Sequence, residues 1–184
     1  MEDSPAELTT MDALTSPLLD RPPSPTSSLA ATEAELTVLI DLAVARRVGT
    51  VAIGSGRTPS AVAAAAALTR RWSATGGDVT ATVTWPETAA SWLRQARRFC
   101  DPDPGLWIMT GPPTGWAQMT RRLLWSTNWD PARTLATADI GAPGCLELVG
   151  RGHLEGLSGA TADGATWIVS GRQQWRRTLP AEER

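Results

Sequence analysis

The sequence has few of the residues on which catalytic and metal sites depend. It contains no lysine, no tyrosine, one histidine and two cysteines among 184 residues. His153 lies in a glycine-rich stretch, and it forms no triad-like arrangement with Ser55. Cys100 and Cys145 are far apart and form no C-x-x-C pair, so we expect two reduced thiols and no zinc site. No acid pair with a defined separation stands out either. We therefore expect a protein that is not an enzyme and holds no metal or cofactor.

Long apolar runs and strong charge are also absent. No stretch approaches the roughly 18 consecutive apolar residues that a membrane span needs. The N-terminus has no basic region followed by an apolar one, which predicts no secretory signal and a cytoplasmic protein, or an extracytoplasmic one if the start is truncated. The net charge is −2, of which residues 1–32 contribute −4 and the remainder about +2. This balance does not indicate binding to nucleic acid.

The chain does have a regular alternation of strand and helix patterns. Four short apolar runs recur about every thirty residues: Val48–Ile53, Val79–Thr84, Leu106–Thr110 and Leu135–Asp139. Helix patterns lie between them, the second of these opening at Pro86, and Thr166–Val169 is a plausible last strand. The alternation predicts an α/β fold, a single three-layer domain with a doubly wound parallel sheet. The strand residues predicted to be buried are Val51, Ile53, Val83, Ile108 and Leu135.

Three segments differ in composition. Residues 1–32 contain five prolines among serines, threonines and acids, which predicts a disordered leader that is dispensable for stability. Residues 33–170 form the predicted domain. It opens with Thr32 and Glu35 in the pattern of a capping box. Residues 171–184 are expected to be a solvated tail.

Parallel sheets bind ligands beyond the carboxyl ends of their strands, which directs attention to the residues there. The stretch from Gly54 to Thr58 is a turn between a strand and a helix, and it is either an anion-binding turn or merely a tight one. Trp85 either stacks on a ligand or packs in the core. Thr110 begins a loop whose two prolines suit a rigid wall. Asp139 either accepts a hydrogen bond from a ligand amine or is an ordinary exposed acid.

The order of these elements resembles the second lobe of type 1 periplasmic ligand-binding proteins, the amino-acid-receptor branch of ABC-transporter solute-binding proteins. The resemblance runs from Val48 to Ala160, about 60% of the chain. The pieces that carry it are Trp72–Val79, Trp92–Phe99, Pro104–Ile108, Trp129–Thr134, Gly141–Pro143, Leu146–Gly150 and Leu154–Ala160. The resemblance implies a lobe that binds a small polar ligand such as an amino acid. It also implies ligand contacts at Ser55, Arg57, Trp85, Thr110 and Asp139.

Only one lobe of that family fits this chain. Members of the family have two lobes that close on the ligand, so the resemblance implies a truncated or repurposed protein whose cleft is completed by a second lobe or a partner chain. Two alternatives remain open. The stretch Gly54-Ser55-Gly56-Arg57-Thr58 is similar to the first loop of sugar-isomerase (SIS) phosphosugar-binding domains, which would make the chain an isomerase or a regulatory domain. The other alternative is a non-enzymatic interaction module.

Overall fold

The computed structural model describes residues 30–171 and 173–177, in which strands and helices alternate over most of the chain. The strands are β1 (Thr50–Gly56), β2 (Asp78–Trp85), β3 (Leu106–Thr110), β4 (Thr134–Ala136), β5 (Ser158–Ala160), β6 (Thr166–Ser170) and β7 (Gln173–Arg177). The helices are α1 (Glu33–Ala45), α2 (Pro59–Ala74), α3 (Leu93–Cys100), α4 (Pro113–Ser126), α5 (Ala138–Gly141) and α6 (Pro143–Val149).

The strands form one seven-stranded sheet in the order β2-β1-β3-β4-β5-β6-β7. All pairings from β2 through β5 are parallel, whereas β6 and β7 are antiparallel to their neighbours. The chain moves to one side of β1 to make β2 and then returns to the other side to make β3. This reversal makes the sheet doubly wound and creates a switch point between β1 and β3.

Helices cover both faces of the sheet, as predicted. One core layer lies between the sheet and the apolar sides of α1 and α2, and the other lies beneath α3, α4, α5 and α6. The five strand residues predicted to be buried, Val51, Ile53, Val83, Ile108 and Leu135, are all in these layers. Seven of the tryptophans help to fill the core, mostly in the second layer, whereas Trp125 is 81% exposed and Trp175 60% exposed.

The helix starts follow local chemistry. At the start of α1, the Thr32 hydroxyl accepts from the Glu35 backbone N–H and the Glu35 carboxylate accepts from the Thr32 N–H, so the predicted capping box is confirmed. At α2, Thr58 is the N-cap and Pro59 the first helical residue, a position that needs no N–H donor. Caps of this kind contribute about 0.5–2 kcal/mol each.

Strand β1 is longer than predicted, and this overturns the expected turn at Gly54. Gly54 and Ser55 are paired with β2 on one side and β3 on the other. The glycine leaves room for Trp85 to pack against the strand, because a Cβ at position 54 would lie 2.5 Å from the Trp85 ring. The sheet therefore continues through Gly56, where the sequence suggested a turn with free N–H groups.

The third helix begins later than predicted. Residues 86–92 are irregular, and α3 starts at Leu93. The segment is held in this form by two side chains. The Glu87 carboxylate accepts from the Gly115 N–H, and the Trp92 indole N–H donates to the Pro86 carbonyl. Both contacts are tertiary or loop-closing, so the helical pattern of the sequence does not decide this segment.

Strand β4 is shorter than predicted and ends at Ala136, so Asp139 does not end a strand. It lies in the first turn of the four-residue helix α5. Two hydrogen bonds turn the chain here. The Thr137 N–H donates to the Met109 carbonyl, and the Ala138 N–H donates to the Glu35 carboxylate.

The sheet extends beyond the predicted domain boundary at residue 170. Strand β7 pairs with β6 over residues 173–177, where the sequence suggested a solvated tail, and β5 was not predicted at all. The prediction of a disordered leader concerns residues 1–32, of which residues 1–29 lie outside the described part of the chain.

Candidate functional site

The five parallel strands end at one edge of the sheet, which is where doubly wound folds bind their ligands. Residues that the sequence singled out do lie along this edge, although in different settings. The switch point lies between the ends of β1 and β3, where the backbones of Gly56 and Gly111 approach each other closely.

Three hydroxyl side chains form a row across the edge. Ser55 of β1 is in register with Thr110 of β3, and Thr137 follows β4 with its N–H bonded to the carbonyl beside Thr110. Each lies two residues after a strand residue in the core layer under α1 and α2, so all three lie on that face of the sheet. We call Ser55, Thr110 and Thr137 the hydroxyl row.

The hydroxyl row is buried but not fully hydrogen-bonded. Ser55 is 1% exposed and Thr137 3% exposed, and the hydroxyl oxygen of each has no hydrogen-bond partner among the residues that the structure describes. Buried hydroxyls in folded proteins nearly always have a hydrogen-bond partner. The unpaired hydroxyls of Ser55 and Thr137, which lie on either side of β3, therefore require an explanation. The sequence indicated Ser55 and Thr110. It missed Thr137, because the predicted fourth strand ran on to Asp139.

Arg57 and Asp139 flank the hydroxyl row along the chain. Arg57 directly follows β1, its side chain is exposed, and it makes no hydrogen bond or ion pair with the residues the structure describes. Asp139 is half-buried in α5 and lies close enough to Glu35 for its charge to raise the pKa of that carboxyl. The edge thus carries an exposed cation directly after β1 and a half-buried acid in α5.

Trp85 lies in the core instead of at the edge. Its side chain is 0% exposed and meets the Phe99 ring edge to face, with 6.3 Å between the ring centroids. It also packs over Gly54. No face of the ring is open to a ligand in this structure, so of the two interpretations of Trp85 the structure favours core packing.

Glu35 is a buried carboxylate that the sequence identified only as a capping residue. It is 2% exposed, and its two oxygens accept from the Ala138 N–H at 2.6 Å and from the Thr32 N–H at 3.3 Å. Burial raises the pKa of Glu35, and these two hydrogen bonds oppose the shift. The carboxylate therefore joins the start of α1 to the start of α5 directly behind the edge.

Glu87 is a second carboxylate at the edge, and the sequence analysis missed it. Its Oε2 accepts from the Gly115 N–H at 2.7 Å, in the first turn of α4, while Oε1 is buried and has no partner in the described part of the chain. Burial raises the pKa of Glu87, and the bond from Gly115 partly opposes the shift. Only the tertiary structure could reveal this residue, because it lies 28 residues before its partner.

Among residues 30–171 and 173–177, no three histidine, cysteine or acidic side chains come together to hold a metal ion. Cys100 and Cys145 are both free and buried, and burial raises the pKa of each thiol. None of the helices in this part of the chain combines the length and the apolar character needed to span a bilayer.

The fold is that of one lobe of type 1 periplasmic ligand-binding proteins, which confirms the resemblance seen in the sequence at the level of the fold. No protein-family model and no curated protein matches the sequence. The likeness to solved structures therefore defines a class of fold.

Three of those structures illustrate the likeness. A substrate-binding periplasmic protein from Ralstonia solanacearum superposes with a TM-score of 0.60 at 16% identity, over 71% of this chain and 37% of that one. A putative branched-chain amino acid ABC transporter protein from Rhodospirillum rubrum gives 0.59 at 15% identity, over 69% and 36%. An ABC-transporter solute-binding protein from Rhodopseudomonas palustris BisB5, in complex with 3,4-dihydroxybenzoic acid, gives 0.56 at 17% identity, over 70% and 35%. The chain thus spans about a third of their length.

Proposed function

We propose that this chain is a ligand-binding lobe without catalytic activity, and that it binds a small polar ligand such as an amino acid at the carboxyl edge of its sheet. The observation that carries the proposal is the hydroxyl row, in which Ser55 and Thr137 are buried with unpaired oxygens. A polar group from a ligand, or a water that it orders, would supply the missing partners.

The charges at the edge suggest an orientation for the ligand. Arg57 is the exposed cation next to β1, so the anionic part of the ligand is assigned to the start of α2 beside it. The amine or hydroxyl end is assigned to Thr110 in the middle of the hydroxyl row and to Asp139, which follows Thr137 at the far end of the row. Trp85 is left out of this assignment because it is buried in the core.

A second lobe or a partner chain would complete the cleft. The similar structures are about three times as long as the part that this chain matches. Sites that bind small molecules bury most of the ligand surface, and an open sheet edge alone leaves one side of the ligand in water. We therefore expect weak binding by this lobe and tighter binding when a partner covers the edge.

The phosphosugar alternative is less well supported than the amino-acid one. It depended on a phosphate-binding loop at Gly54–Thr58, but the first three of these residues belong to β1. Their backbone groups are largely committed to the sheet. Sugar phosphates remain a useful comparison in a binding experiment, because they test the alternative directly.

Isothermal titration calorimetry with leucine, 4-hydroxybenzoate and glucose 6-phosphate tests the proposal. A charge-assisted hydrogen bond contributes about 1.5–3 kcal/mol, so Arg57→Ala should weaken the binding of an anionic ligand by about 10- to 100-fold. Arg70→Ala is the matched control, because Arg70 is an exposed arginine towards the far end of α2. Equal affinity of the wild-type protein and Arg57→Ala would show that the assigned position is wrong.

A further inference from the structure

Glu87 occupies the place where a doubly wound sheet receives an anion. Such folds bind negatively charged groups at the switch point, on the first turn of the helix that follows a strand. Here the strand is β3 and the helix is α4, with two residues, Gly111 and Pro112, between them. Pro113 has no N–H, so the Gly115 N–H is a principal donor of this turn. It is bonded to the Glu87 carboxylate at 2.7 Å.

The carboxylate fills a space made by two glycines. A Cβ on Gly115 would lie 2.7–2.9 Å from the atoms of the Glu87 carboxyl group, and a Cβ on Gly56 would lie 3.0 Å from its Oε1. A side chain at position 115 would therefore displace the Glu87 carboxylate, whereas one at position 56 would meet Pro112 first, at 2.7 Å. The space beside Gly115 at the start of α4 is of carboxylate size, and the Glu87 carboxylate fills it.

The attachment of Glu87 is incomplete. Among the residues that the structure describes, only one of its oxygens has a donor, Oε1 is buried without a partner, and no arginine or histidine forms an ion pair with it. A partly buried carboxylate with a single hydrogen bond is costly compared with a fully hydrated one. Another carboxylate that brings further contacts can therefore compete for the same place.

The segment that carries Glu87 has room to move. Residues 86–92 contain no helix or strand, and residues 88–91 are exposed. The hydrogen bond from the Trp92 indole N–H to the Pro86 carbonyl joins two residues of the segment itself. Trp85 and Trp92 anchor its two ends in the core. Withdrawal of Glu87 thus breaks one tertiary hydrogen bond and no secondary structure.

We infer that Glu87 is an internal occupant of an anion site at the switch point, and that a small carboxylate binds at Gly115 when Glu87 withdraws. The segment 86–92 then acts as an autoinhibitory strap that keeps the site filled in the absence of ligand. This site at the start of α4 is separate from the position beside Arg57 to which the proposed function assigns its anion, so the inference goes beyond that function. Its existence is tested with formate.

The experiment is chemical rescue of Glu87→Ala by sodium formate, with sodium chloride at equal ionic strength as the salt control. We expect formate to restore the Gly115 amide resonance of the variant and to raise its Tm by about 3–6 °C at ten times the Kd. The affinity of the wild-type protein for formate should be at most a third of the affinity of Glu87→Ala for formate. Glu87→Gln should not respond, because its amide oxygen still accepts from Gly115.

Asp78→Asn is the matched control, since it removes an exposed carboxylate at the opposite end of β2. The inference is overturned if formate has no saturable effect on Glu87→Ala, or if Asp78→Asn responds equally. Should Glu87→Ala fold poorly, Gly115→Ala provides the second test, because its Cβ expels the carboxylate. Amide exchange in residues 86–92 should then rise at least tenfold while β1 stays protected, and unchanged exchange overturns the inference.

Leucine and 4-hydroxybenzoate separate this inference from the proposed function. If either binds with its carboxylate at Gly115, its affinity for Glu87→Ala should exceed that for the wild-type protein by threefold or more. If neither binds to any variant while formate rescues Glu87→Ala, the proposed function fails and the anion site stands. If both bind equally to all variants and formate rescue is absent, the anion site fails and the proposed function stands.

Discussion

Replacing Glu35 by alanine tests whether one buried carboxylate secures both helix starts behind the sheet edge. The change removes the acceptor of the Ala138 N–H and that of the Thr32 N–H. A partly buried donor left without an acceptor costs about 1–3 kcal/mol, and a lost cap about 0.5–2 kcal/mol. Removal of a charge that is costly to bury offsets part of this loss. We therefore expect the free energy of unfolding to fall by about 2–4 kcal/mol.

Urea unfolding followed by tryptophan fluorescence and circular dichroism measures this loss. In a domain of this size it corresponds to a decrease in Tm of about 5–15 °C. The matched control is Glu33→Ala, two residues away. Glu33 is 86% exposed and forms an ion pair with Arg71, and such exposed pairs contribute about 0–1 kcal/mol. A loss in Glu35→Ala no larger than that in Glu33→Ala would refute the role assigned to the buried carboxylate.

Three other predictions concern pH, backbone packing and the N-terminal segment. Because burial raises the pKa of both Glu35 and Glu87, the folded state binds protons more tightly than the unfolded state. Their contribution to stability should therefore rise as the pH falls from 7 towards about 4.5, and a pH-independent difference between the wild-type protein and the Glu35→Gln/Glu87→Gln variant would contradict this. Gly54→Ala should lose about 1–3 kcal/mol because its Cβ has no room, whereas Gly144→Ala, with open space around it, should lose less than about 0.5 kcal/mol in the same urea titration. A chain that starts at Ala31 should melt within a few degrees of the full chain by calorimetry, and a large decrease would show that residues 1–30 dock on the domain.

The sequence was sufficient for the core of the fold because that core is built from local apolar patterns. Strand β3 has the predicted bounds, and α1 begins at the predicted capping box. Strand β5 could not be found in this way. Its three residues, Ser158–Ala160, have no strand pattern of their own, and they are extended because β4 and β6 pair with them on both sides.

The candidate site was only partly predictable for a related reason. Ser55 and Thr110 follow recognisable strands, so their place at the edge could be inferred from the chain alone. Thr137 joins them only because β4 ends early, at Ala136, and the Thr137 N–H then donates to the Met109 carbonyl. Glu87 reaches Gly115 because the two irregular segments after β2 and β3 meet in space. Contacts of this kind depend on how elements are assembled, which a pattern along the sequence does not record.

The order of strands in the sheet has a consequence for how the chain folds during synthesis. From β3 to β7 the spatial order is the same as the chain order, so each new strand meets an edge that already exists. No strand has to be inserted between two others. Helix α1 is the exception, since it is made first but packs on β4 and β5. At 5–20 residues per second, the roughly 100 residues between α1 and α5 take about 5–20 s to emerge from the ribosome. During that time the apolar side of α1 lacks part of its final cover.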